Sequence, residues 1–124
     1  MHGSIKIEQF LHENTTWKRL LDFFIQENSF LKTRLSEVVD KQNDALFIIE
    51  AERFQNEFIL KDEFLQDMWR DIKEQQSKLQ SLQHNKQEAD SRITKRQQKL
   101  RNEIAFLEKD FPTLKNKFNK YLLQ

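Results

Sequence analysis

Apolar side chains recur along most of this chain at alternating spacings of three and four. In the first stretch one row holds Ile7, Asn14, Leu21, Asn28 and Leu35, and the row beside it holds Phe10, Trp17, Phe24, Leu31 and Val38. Such alternation sets both rows on one stripe of an α-helix that packs against other helices. A second stretch repeats the pattern with Ala51, Phe54, Phe58, Leu65, Met68, Ile72, Leu79 and Leu82. A third reads Ile93, Gln97, Leu100, Ile104, Leu107, Phe111, Leu114, Phe118 and Tyr121. The pattern predicts an all-α fold: an antiparallel bundle of three long amphipathic helices over about 5–40, 44–84 and 88–123. One domain then covers 5–124, and residues 1–4 read as a disordered or cloning-derived tail.

The joints follow from breaks in the frame. Continuing the first register would make 42 and 49 seam positions, yet the second stretch uses 44 and 51. The slip falls in Asp40-Lys41-Gln42-Asn43-Asp44, where Asn43 and Asp44 are both good N-caps. The second joint is placed in Gln83-His84-Asn85-Lys86-Gln87, with Asn85 as a left-handed cap. A single helix running 44–123 is the alternative there. Pro112 lies inside the third pattern and predicts a kink or a restart, with Asp110 as cap. Folding the chain at these joints puts Trp17 level with Met68 and Ile104, Leu31 with Phe54 and Phe118, and Val38 with Phe47 and Tyr121.

Composition sharpens this picture mainly by exclusion. Of 124 residues, one is Gly and one is Pro, so the regular turns that sheet folds require are missing. Glycine-rich phosphate loops and dinucleotide fingerprints have no residues to build them, and the lack of Cys rules out thiolate metal sites and disulfides. No run nears the roughly 20 apolar residues of a spanning helix, so no membrane partner is expected and the cytoplasm is the default location. Three helices in a chain of this length, with Trp17 in the first, resemble a spectrin repeat. The resemblance implies the bundle architecture and carries no function with it.

Candidate chemistry is sparse. A carboxylate-bridged di-metal site needs Glu-x-x-His pairs, but Gln9 and Ser81 stand three residues before His12 and His84. His12-Glu13 is followed by Asn14-Thr15-Thr16, so the zinc-protease pattern is absent too. Neither a metal nor another cofactor is expected, and His12 and His84 read as solvated surface histidines. No catalytic constellation emerges. Asn14 and Asn28 occupy seam positions, where a buried amide sets register at a cost in stability. Asn14 or Thr15 offers a second reading, as the cap of a helix starting there after a short separate helix over 5–12.

Charge and surplus apolar residues carry the functional expectations. Residues 1–72 hold 9 basic and 14 acidic side chains, whereas 73–102 hold 8 and 3. Within the latter, Lys86, Arg92, Lys95, Arg96, Lys99 and Arg101 form a basic hairpin that would suit nucleic acid or an acidic surface. That block has no aromatic side chain for base stacking, and the chain's net charge is only +1. The hairpin therefore reads more simply as a solvated turn whose charge complements the acidic first half. By contrast, Phe23, Phe30, Leu46, Ile49 and Leu60 fall outside any seam and should point outward. Large exposed apolar rows mark an interface. The expected function is a non-enzymatic interaction or assembly module, self-associating as a homodimer or binding a helical protein partner.

Overall fold

We describe a computed structural model of the chain, covering the backbone of residues 2–123 and the side chains of residues 5–123. It is an all-α three-helix bundle: α1 spans His2–Val39, α2 Ala45–His84 and α3 Ser91–Leu122. The side chains of the tail expected at residues 1–4 lie outside this description. The seam positions read from the spacing form the interior. All nine in α3 are buried, as are nine of the ten in α1, Val38 being half-exposed.

Each boundary has a local cause. Asp44 caps α2, its Oδ1 accepting from the amides of Leu46 (2.9 Å) and Phe47 (3.3 Å). The second joint differs from expectation in two ways. Asn85 keeps ordinary φ and ψ (−86° and 4°), and the left-handed residue is the next one, Lys86, at φ 54°. Around it the amide of Gln87 donates to the Leu82 carbonyl and that of Lys86 to Gln83, the paired bonds that end a helix in a Schellman turn. Asp90 then caps α3 through the Ile93 amide at 2.9 Å, so that helix starts at 91, three residues later than the spacing suggested. These two caps rule out the single helix over 44–123.

Two further expectations are corrected. α1 is continuous through Asn14-Thr15, and Thr15 bonds back to the Leu11 carbonyl at 3.0 Å instead of capping a new helix. α3 likewise does not restart at Pro112. The proline and Glu108, whose carbonyl loses its amide partner, both sit on the exposed face, where water can replace the lost bond. Asp110 is no cap; it pairs with Lys61 across the α2–α3 contact.

The core has two parts. The larger runs from Trp17 and Leu100 to the first turn, and at that end it is aromatic. Phe118 packs edge-on against Phe58 (centroids 5.1 Å apart) and Phe54 (5.4 Å), while Phe47 stacks on Tyr121 at 4.4 Å. The Tyr121 hydroxyl donates to the Phe47 carbonyl at 2.7 Å, fixing the start of α2 to the end of α3. α1 and α2 approach each other more closely than either approaches α3. The smaller part, built on Ile7, Phe10, Leu79 and Ile93, lies at the opposite end.

Candidate functional site

A polar layer lies between the two apolar parts. Asn14 of α1, Gln75 of α2 and Gln97 of α3 occupy one level of the bundle, and all three are buried. Gln97 Nε2 donates to Asn14 Oδ1 at 2.8 Å, and Gln75 Nε2 donates to Gln97 Oε1 at 3.2 Å and to the Ile93 carbonyl at 3.0 Å. Glu13 and Arg101 close the edge of the layer: Arg101 Nε and an Nη reach the two carboxylate oxygens at 2.8 and 2.6 Å. Burial pushes the Glu13 carboxyl upward, but hydrogen bonds from Arg101 and Gln97, with the Arg101 charge, outweigh it and hold the group below its ordinary value. Asn14 Nδ2 and Gln75 Oε1 have no hydrogen-bond partner among the described residues.

Asn28 is buried two heptads further along α1, with Nδ2 donating to the Phe58 carbonyl (2.9 Å) and to Asp62 Oδ1 (2.6 Å). Asp62 is also paired with Lys32. Both seam asparagines thus reach across to another helix. Sequence reading missed Gln75. Its position between Ile72 and Leu79 on the seam was the available signal, hidden by the many glutamines around it.

The six residues of the basic hairpin do not form one free surface. Arg101 is committed to Glu13, Arg96 lies 3.5 Å from Glu74 and 4.0 Å from Asp71, and Lys99 lies 3.9 Å from Glu103. Arg92 and Lys95 are exposed, and Lys86 forms the turn. Side-chain hydrogen bonds from Lys78, with the Arg96 and Lys78 charges, hold the exposed Glu74 carboxyl below its ordinary value. Carboxylates of the same chain therefore meet three of these six cations, though only Glu13 and Asp71 among those carboxylates belong to the acidic stretch 1–72. His12 and His84 are exposed, and among the described residues no three metal-binding side chains come together.

All five residues expected at an interface are exposed: Phe23 55%, Phe30 63%, Leu46 75%, Ile49 51% and Leu60 63%. They are not gathered on one face. Phe23 and Phe30 flank Glu27 on α1, and Glu27 pairs with Lys115 of α3 at 2.6 Å, so both rings lie beside the α1–α3 contact. Leu60 lies on the other side of α3, in a groove between α2 and α3 with Phe64, Phe106 and Thr113. Leu46 shares the Leu60 face two heptads away, and Ile49, the least exposed of the five, lies near the first turn. Phe106, 58% exposed, belongs to the groove and extends it onto α3.

The chain matches no protein-family model, no curated protein and no solved structure. No helix is long and apolar enough to cross a membrane among the described residues.

Proposed function

We propose that this protein is a non-enzymatic association module, binding a helical protein surface through apolar side chains left outside its core. The carrying observation is that Phe23, Phe30, Leu60 and Phe106 are each more than half exposed beside an interior already filled by Phe58, Phe111 and Phe118. The bundle does not need those four side chains for its own packing, and keeping them in water forfeits about 25 cal/mol for each Å² of apolar surface. A partner helix laid along either flank of α3 would recover that energy. The basic hairpin supports its alternative, nucleic-acid binding, less well, because Arg96, Lys99 and Arg101 face carboxylates of the same chain.

A photo-crosslinking amino acid placed in turn at Phe30, Leu60 and the polar, exposed Gln80 tests the reading. In cells, positions 30 or 60 should give adducts with protein, either a second copy or another chain, while position 80 should give none. Absence of adducts from both apolar positions would refute it.

A further inference from the structure

We propose that the α2–α3 groove is a homodimer interface, in which a second copy binds about a two-fold axis parallel to the helices. The inference rests on the association reading above and adds the occupant and its orientation.

Charge favours this pairing. The groove continues toward the first turn between Glu50 and Glu57 on α2 and Lys117 and Lys120 on α3. These four side chains are exposed and make no ion pair within the described chain. Arg53 shares the α2 border and cancels one of its carboxylates, which leaves that border negative and the α3 border positive. A two-fold axis along the helices brings α2 of one copy over α3 of the other at the same height. Each acidic border then faces the partner's basic border. A two-fold axis across the helices would instead set α2 against α2, like charge against like. The pattern is self-complementary in the first arrangement only.

The surface between the borders is apolar. Leu60 and Phe106, 63% and 58% exposed, line the floor with half-buried Phe64. An apolar centre with a charged rim is the anatomy of a stable interface. On the other flank of α3, the Glu27–Lys115 pair already spans the contact beside Phe23 and Phe30. Area permits the dimer as well. The chain exposes 8537 Å², against about 7,100 Å² for a compact monomer of this mass. Burying the roughly 800 Å² per partner of a standard interface lies within that excess.

The test is light scattering on the full chain, followed by charge reversal. The wild type should have twice the 15.2 kDa chain mass. Glu50→Lys with Glu57→Lys, and separately Lys117→Glu with Lys120→Glu, should each weaken dimerisation at least tenfold with unchanged circular dichroism. Mixing the two variants should restore the doubled mass, because each then offers the other opposite borders. A monomeric wild type overturns the proposal, and adducts to a different protein in the crosslinking assay would still leave the association reading standing. A dimer insensitive to both reversals but broken by Phe23→Glu with Phe30→Glu overturns this groove and places the interface on the other flank. Failure of the mixture to re-pair overturns the two-fold geometry.

Discussion

Replacing the buried polar layer by leucine should make the bundle more stable and less selective. The perturbation is Asn14→Leu, Gln75→Leu and Gln97→Leu together, since any one alone would strand its partners. Five hydrogen bonds are lost: Gln97 to Asn14, to Glu13 and to the Phe10 carbonyl, and Gln75 to Gln97 and to the Ile93 carbonyl. At a net worth of about 1 kcal/mol each, their loss costs about 5 kcal/mol. Against this, two buried atoms without a partner among the described residues, Asn14 Nδ2 and Gln75 Oε1, disappear, which relieves about 2 kcal/mol each. Three buried leucines add about 2 kcal/mol each. Imperfect fit of the new side chains takes back on the order of 2 kcal/mol. The balance is a gain of roughly 3 kcal/mol, or a rise in Tm on the order of 10 °C for a chain of this size.

Thermal and urea unfolding followed by circular dichroism measure the gain, and native-state hydrogen exchange tests its origin. In the wild type, amides near Phe10 and Leu79 belong to a small apolar cluster cut off by the layer, so they should exchange through a local opening before global unfolding. In the triple variant the two clusters merge and these amides should exchange only with global unfolding. A Tm that falls, or stays level with exchange unchanged, would refute the account of the layer as a stability cost retained for register.

Three further outcomes follow from single residues. Phe118→Ala removes a fully buried ring wedged between Phe54 and Phe58 and should cost about 3–5 kcal/mol in urea unfolding, the usual loss for a large core aromatic. Lys86→Gly relieves a left-handed conformation at φ 54° and should stabilise by about 1 kcal/mol, whereas Lys86→Ala, which keeps the Cβ, should not. Because the Glu13 carboxyl is held below its ordinary value in the fold, it contributes stability above its unfolded value. That contribution is lost as pH falls through the folded one. Glu13→Gln should therefore flatten the decline of Tm between about pH 5 and 3, and an unchanged slope would show that the Arg101 pair does not act on folding.

The division between sequence and tertiary structure is visible in particular residues. Spacing alone marked all nine buried positions of α3, because a strip that repeats every 3.5 residues has one way to leave water: against other helices. The frame slip before Ala51 located the first turn because it coincides with a polar run containing an N-cap residue, and Asp44 supplied that cap. The second turn was only coarsely legible. Its left-handed residue is a lysine, and no glycine marks the place. Gln75 was hidden in a run of polar residues because burial of an amide depends on what faces it, here Gln97 and the Ile93 carbonyl from another helix.

The exposed apolar residues show the same limit. A single helix determines that Phe23, Phe30 and Leu60 point away from the seam, but not which neighbours they border. Only the placement of α3 between them separates the two phenylalanines from Leu60, and only that placement joins Leu60 to Phe106 in one groove. Pairings such as Arg101 with Glu13, 88 positions apart, are likewise decided by the fold. Local periodicity sets what each helix buries. Which residues meet across helices depends on their relative height and rotation, and those come from packing the whole chain at once.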